Sequence, residues 1–238
     1  MTDQLRALLH QLLIAGGSRP ALDRLLDDYA RYHLVLVVLG SALTVALGAL
    51  AVRCARRFRR APRNTDRRWS FERTTYAGFA IASGLLVLVL GLVVLANLSN
   101  VLDPRHGFTG AVDAIATARP GTPRAELHDV FAQWLRSDAD AIPPVVQEHV
   151  DDRLAWQRPK ALISAVLLVA AVALAHRLWH GLIERSRRRP PRTRWSGADR
   201  ARVAVALALG PVALVLTAMV LGNAQASIAP LTMTLLFG

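Results

Sequence analysis

The chain has 238 residues, of which 53% are apolar, and its formal net charge is +12. A soluble globular domain rarely combines so many apolar residues with so high a charge. The apolar residues and the charged residues must therefore occupy different segments. The only cysteine, Cys54, excludes an intramolecular disulfide framework. These values favour a membrane protein with basic connecting segments.

The amino-terminal segment predicts an amphipathic helix over residues 2–15, which ends at the pair Gly16-Gly17. Leucines recur there at helical spacing, at Leu5, Leu8, Leu9, Leu12 and Leu13. The first long apolar stretch starts only at Leu34 and no cleavage site follows a short apolar region, so we expect no signal peptide.

Four stretches contain no Asp, Glu, Lys or Arg: residues 34–52, 74–102, 161–175 and 203–238. A helix needs about 20 residues to cross a ~30 Å hydrocarbon core. The sequence therefore predicts an all-α polytopic membrane protein. Its transmembrane helices are expected at about 33–53, 74–98, 160–180 and 201–223, followed by an apolar C-terminal tail.

Arginines are concentrated between paired spans. Residues 53–73 carry nine arginines against two acidic residues, and residues 177–202 carry the same numbers, whereas segments 1–32 and 98–160 are nearly balanced. Segments rich in Lys and Arg near the ends of membrane spans stay on the cytoplasmic side. The two arginine runs are therefore predicted to be cytoplasmic, and the termini are predicted to lie outside. The abundance of arginine and alanine suggests a bacterial genome of high GC content, and the expected location is the plasma (inner) membrane.

The predicted cytoplasmic arginine loops are residues 54–73 and 181–200. Juxtamembrane arginines gain about 1 kcal/mol each from anionic lipids, so we expect such lipids at this face. Nucleic acid is not an expected partner, because the loops offer too few aromatic residues for base stacking. The lipid and topology arginines are Arg56, Arg57, Arg59, Arg60, Arg187, Arg188 and Arg189.

The two halves of the chain resemble each other. Trp69-Ser70 and Trp195-Ser196 lie 126 residues apart, and in that register 12 of the 36 positions from 69 to 104 are identical. An offset of 124 matches 10 of the 34 positions from 20 to 53. Chance similarity between apolar hairpins is the alternative, but Pro, Asp-Asp, Trp-Ser, Gly and Asn recur in order, which favours a tandem duplication.

The predicted repeats are residues 1–104 and 122–238, joined by an extracytoplasmic linker at 105–121. Each contains an outer amphipathic helix and a transmembrane hairpin, and in the second repeat that helix covers 123–136, after Thr122 as N-cap. Because each repeat crosses the membrane twice, both repeats have the same orientation. The sequence thus predicts two tandem parallel repeats related by an axis along the membrane normal.

The duplication brings six polar residues to the predicted outer boundary of the membrane. Acidic pairs with amide oxygens could hold a hard cation such as Ca²⁺ or a partner's basic residue. The alternative is surface pairing of the aspartates with Arg24, Arg31 and Arg153. The six residues are Asp27, Asp28, Asn97, Asp151, Asp152 and Asn223.

Gly210-Pro211 falls within the fourth span, where proline removes a backbone hydrogen bond and predicts a helix kink. Such a kink can mark a gate, although proline is also tolerated for packing alone. Small residues at four-residue spacing, such as Gly40, Thr44 and Gly48, favour close helix packing.

Within the predicted spans no ionisable residue appears before the helix ends, which disfavours an active transporter. His176 and His180 share a helix face but lack a third ligand, and no catalytic constellation or cofactor motif is present. The sequence therefore predicts a non-catalytic scaffold or accessory subunit without cofactor, whose partner is another membrane protein, lipid or a second copy as a homo-oligomer. The alternatives are a passive channel or uncoupled transporter with its path between the repeats, lined by Ser83, Ser164 or Thr217, and an interfacial enzyme.

Overall fold

The computed structural model describes residues 2–61, 70–188 and 195–238. All regular elements in these ranges are helices, which confirms the all-α expectation. They are α1 (Thr2–Ala15), α2 (Pro20–Arg60), α3 (Phe71–Leu102), α4 (Pro104–Asp113), α5 (Pro123–Ser137), α6 (Pro144–Arg188), α7 (Gly197–Ile228) and α8 (Pro230–Phe237).

Helices α2, α3, α6 and α7 are each long and apolar enough to cross a membrane, which confirms a multi-pass membrane protein. The shortest of them have 32 residues. At 1.5 Å per residue such a helix is about 48 Å long and exceeds a ~30 Å hydrocarbon core. The helices therefore extend beyond the predicted spans into the flanking polar segments.

The arginine segments are more helical than predicted. Helix α2 continues to Arg60 and α3 begins at Phe71, while α6 continues to Arg188 and α7 begins at Gly197. Arginine is a good helix former, and cations near a helix C-terminus interact favourably with the helix dipole. Both effects extend the helices into segments where the sequence predicted loops.

The serines of the two Trp-Ser pairs begin helices α3 and α7. Ser70 Oγ accepts a hydrogen bond of 3.3 Å from the backbone N–H of Arg73. Ser196 Oγ accepts one of 3.2 Å from the N–H of Asp199, and its hydroxyl donates to the Asp199 carboxylate at 2.7 Å. Each serine is thus the N-cap of its helix.

The segment predicted as a linker, 105–121, is helical over its first half, and the predicted C-terminal tail contains α8. Asp103 is the N-cap of α4, since its side chain accepts from the N–H of His106 at 3.1 Å. Phe108 and Val112 are fully buried, so α4 belongs to the hydrophobic core. Helices of ten and eight residues are shorter than the window of about 11 to 18 residues over which a hydrophobic period is normally read.

The chain divides into two compact units, and the four long helices contribute a segment to each. Unit 1 comprises Met1–Leu39, Val94–Ala161 and Leu221–Gly238. Unit 2 comprises Gly40–Val93 and Leu162–Val220.

Unit 1 has a continuous hydrophobic core. Helix α1 packs against α4 and α5, and buries the leucine face that the sequence predicts. Apolar side chains from α2, α6 and α8 complete this core. Its fully buried side chains include Leu5, Leu9, Leu25, Phe108, Phe131, Leu135 and Leu235.

Unit 2 has the opposite distribution of apolar side chains. Many of its large apolar residues are exposed, as at Val45 and Leu92, which fits contact with lipid. Small residues are buried along its spans, at Ser83, Ser164, Ala171 and Ala206, and a separate small core contains Cys54, Tyr76 and Ile183. A Cβ added to Gly48 would lie 4.0 Å from Val87, so α2 and α3 approach each other closely there.

Candidate functional site

Asp28, from the predicted outer polar set, is a tertiary helix cap. Its Oδ2 accepts a hydrogen bond of 2.6 Å from the backbone N–H of Thr232, and the side chain is buried. Ala229 precedes α8 and supplies no side-chain cap. Asp28 therefore satisfies a helix-end donor that would otherwise have no partner.

Asn97, also from that set, contacts His33. Its Oδ1 lies 2.6 Å from His33 Nδ1, and Asn100 Nδ2 lies 3.5 Å from the same nitrogen. The rings of Tyr29 and His33 are 4.4 Å apart in an edge arrangement. Sequence reasoning missed this cluster, because one histidine and two asparagines at helix ends form no recognisable spacing.

The other members of the set are Asp27, Asp151, Asp152 and Asn223. Asp151 accepts from the Gln147 side chain at 2.9 Å, one turn away on α6. Asp27 and Asp152 are exposed, and the backbone carbonyl of Asn223 accepts from the Ser227 hydroxyl at 2.7 Å. Across residues 2–61, 70–188 and 195–238, no three His, Cys, Asp or Glu side chains are grouped to hold a metal ion.

His128 on α5 is buried in unit 1, and neither of its ring nitrogens makes a hydrogen bond of good geometry. Burial lowers the pKa of its imidazole, and the charges of Arg124 and Arg6 lower it further. The backbone of Leu235 and the charge of Asp129 oppose that shift. The environment thus favours the neutral ring.

Two arginines of unit 1 bind backbone carbonyls near helix ends. Arg6 Nε donates to the Ile115 carbonyl at 3.0 Å, just beyond α4. Arg124 Nη2 donates to the Leu236 carbonyl at 2.5 Å, in the last turn of α8. These contacts provide donors for carbonyls that have no helical partner.

Several arginines of unit 2 are held in ion pairs. Arg187 binds the buried carboxylate of Glu72 through two hydrogen bonds, of 2.9 and 2.5 Å. Asp199 is also buried and receives Arg185 and Arg202, each at 3.2 Å. Arg188 pairs within its own helix with Glu184 at 2.9 Å.

The arginines at the end of α2 are arranged differently. Arg57 Nη1 donates to the Tyr76 hydroxyl at 3.0 Å. Arg53, Arg56 and Arg60 are exposed, and no carboxylate of the described residues is within ion-pairing distance of them. Among the other predicted lipid arginines, Arg59 is exposed, and Arg189 lies outside the described residues.

The remaining candidates are the histidine pair of α6 and the Gly210-Pro211 step of α7. The rings of His176 and His180 are 6.2 Å apart. Helix α7 continues through Gly210 and Pro211, and a Cβ added to Gly210 would meet only open space. The kink and a gate remain predictions.

No protein-family model matches this chain, and neither a curated protein nor a solved structure is significantly similar to it.

Proposed function

We propose that the chain is a non-catalytic membrane scaffold or accessory subunit that binds another membrane protein. The observation that carries the proposal is the use of polar side chains in unit 1. Asp28, Arg6 and Arg124 bind the backbone near helix ends, and Asn97 binds His33. These four side chains, which could otherwise take part in acid–base or cation chemistry, are engaged in contacts within the chain.

The helix boundaries support a tandem duplication with parallel repeats. Helix α7 starts and ends 126 residues after the start and end of α3, and α8 starts 126 residues after the start of α4. The starts of α2 and α6 differ by 124, as in the sequence register. In this proposal each repeat is an outer amphipathic helix and a transmembrane hairpin, and the matching starts of α4 and α8 extend the first repeat beyond residue 104 into the segment predicted as a linker.

The proposed orientation places the arginine-rich helix ends in the cytoplasm and both termini outside. The charge asymmetry between segments supports it, because Lys and Arg near span ends stay inside. We propose the bacterial plasma membrane as the location.

A passive channel between the repeats has less support. It requires Ser83, Ser164 or Thr217 to line an open path, but Ser83 and Ser164 are only 4% and 2% exposed. The Thr217 hydroxyl donates to the Ala213 carbonyl of its own helix at 2.7 Å. Closely packed small residues are typical of helix association in a membrane.

The partner is proposed to dock on the small-residue face of α3. Gly84 and Gly91 are seven residues apart and so lie on one side of the helix. A Cβ added to either would meet nothing within 4 Å, so both glycines leave this face open to a neighbouring helix.

The test is affinity capture of the full chain from its native membrane in gentle detergent. A stoichiometric partner is expected, which in reciprocal capture recovers the chain. Combining Gly84→Leu with Gly91→Leu should abolish the capture, whereas Val89→Leu, an exposed position on another side of α3, should not. Recovery of the chain alone, or equal capture by all variants, would contradict the proposal.

A further inference from the structure

We infer that an anionic phospholipid binds a groove on the C-terminal part of helix α2. The groove has a volume of about 610 Å³. The position of the groove at the cytoplasmic interface rests on the membrane topology proposed above. A lipid bound there adds a partner of known chemistry to the proposed scaffold function. Gly48, Ala49 and Val52 line one end of the groove, and Arg53, Arg56, Arg57 and Arg60 line the other.

The basic end of the groove carries positive charge that no carboxylate among the described residues neutralises. Its arginines are spaced three and four residues apart and therefore lie on one helix face. Of these, Arg57 is oriented by the Tyr76 hydroxyl, and the others are exposed. Planar guanidinium groups bind phosphate oxygens through paired hydrogen bonds, so a phosphodiester complements this face.

The apolar end of the groove distinguishes a lipid from a soluble anion. Gly48 and Ala49 lack bulk, and Val52 is 51% exposed although it is apolar. These residues lie on the span side of the arginines, toward the expected centre of the bilayer. The arginines are thus placed to bind the phosphate of a phospholipid, and the apolar residues to contact its acyl chain. A free phosphate would contact only the arginines.

The corresponding face of α6 lacks these features. With an offset of 124, Val172 replaces Gly48, His180 replaces Arg56 and Glu184 replaces Arg60. Glu184 is already paired with Arg188. The groove therefore belongs to the first half of the chain, and the second half provides an internal comparison for it.

The first experiment measures lipid binding to the purified full chain in neutral detergent by native mass spectrometry. Phosphatidylglycerol and phosphatidylcholine are titrated separately. The groove variant combines Arg53→Gln, Arg56→Gln and Arg60→Gln. The control combines Arg59→Gln, Arg177→Gln and Arg200→Gln, which removes the same charge from exposed arginines outside the groove.

The groove variant is expected to bind phosphatidylglycerol about tenfold more weakly than the unmodified chain, and the control less than about twofold. Binding of phosphatidylcholine should be equal in all three proteins. Equal losses in both triple variants would show a general charge effect and overturn the site. An unchanged groove variant would overturn it as well.

A second variant tests the apolar end without changing any charge. Ala49 is exposed, so Ala49→Phe should fold normally and weaken phosphatidylglycerol binding by filling the groove. Unchanged binding would contradict a lipid chain at this position. Millimolar inorganic phosphate should not displace the lipid, and displacement would assign the arginines to a soluble anion instead.

Partner capture with the groove variant separates the two proposals. A variant that has lost lipid selectivity should still recover the membrane-protein partner, because that partner is proposed to dock on α3. If wild type binds no lipid selectively but recovers a partner, only the lipid site fails. If lipid binds selectively and no partner is recovered, only the scaffold proposal fails.

Discussion

Asp28 on α2 accepts a hydrogen bond of 2.6 Å from the backbone N–H of Thr232 on α8, although 204 residues separate them. Because Ala229 cannot cap α8 with its side chain, this contact attaches α8 to the core of unit 1 at its N-terminal end. Losing the carboxylate would leave a buried N–H without a partner.

Asp28→Ala is expected to destabilise the attachment of α8 by about 1–2 kcal/mol, the usual cost of losing a helix cap. Hydrogen exchange measured by mass spectrometry should show faster exchange in the peptide that contains Thr232. Asp27→Ala is the matched control, because the neighbouring side chain is exposed. Equal exchange in both variants would contradict the capping role.

The stability of unit 1 should decrease as the pH falls below about 6.5, because of His128. Burial keeps the pKa of this histidine below its ordinary value of 6.5 in the folded chain. The unfolded chain therefore takes up a proton near pH 6.5 that the folded chain does not yet bind, and acid favours unfolding. Stability is fully present above that pH and declines until the lower folded-state pKa is reached.

His128→Leu should reduce this pH dependence, measured as the melting temperature in detergent between neutral and mildly acidic pH. His106→Gln serves as the comparison, because the His106 side chain is exposed and its replacement should leave the profile unchanged. An equal or steeper decline in His128→Leu than in the unmodified chain would exclude His128 as the source.

Breaking the Glu72–Arg187 pair should have unequal consequences for its two partners. Glu72 is 5% exposed, whereas the side chain of Arg187 is half exposed. Arg187→Gln leaves a buried carboxylate without its cation and should lower the free energy of unfolding by about 2–3 kcal/mol. Glu72→Gln leaves only a solvated cation and should lower it by about 1 kcal/mol. Denaturant unfolding measures both, with Arg188→Gln as an exposed reference. The reverse order would be inconsistent with the burial of Glu72.

Gly107 on α4 has no space for a side chain. A Cβ there would lie 2.5 Å from Asn100 Oδ1 and 3.0 Å from Tyr29 Oη. Gly107→Ala should therefore lower the unfolding free energy by about 1–3 kcal/mol, the usual cost of overpacking. Gly110→Ala, on the same helix but with nothing within 4 Å, should be neutral or slightly stabilising. Thermal unfolding of the two variants distinguishes these results.

The proposed membrane orientation can be tested with single cysteines in a Cys54→Ala background. A membrane-impermeant thiol reagent applied to intact cells should label Glu148→Cys, at an exposed position of α6, but not Asn64→Cys. Permeabilised cells should allow both to react, which controls for reactivity. Labelling of position 64 alone in intact cells would reverse the topology.

The four long helices and the amphipathic face of α1 could be predicted from the sequence because both depend on local composition. Stretches without Asp, Glu, Lys or Arg and of sufficient length indicate membrane helices wherever they occur. Leu5 and Leu9 recur at the helical period and are buried as that period predicts. The helix ends were less predictable, because arginines following a span can prolong its helix.

The tertiary structure alone decided what the polar side chains contact. Asp28 looked like a possible cation ligand in the sequence, yet it caps a helix distant along the chain. His33 and Asn97 lie 64 residues apart, and Arg187 and Glu72 are separated by 115 residues. Hydrophobic period and charge are local properties that a sequence displays directly. Hydrogen-bond partners between distant segments depend on the packing of helices, which no local pattern specifies.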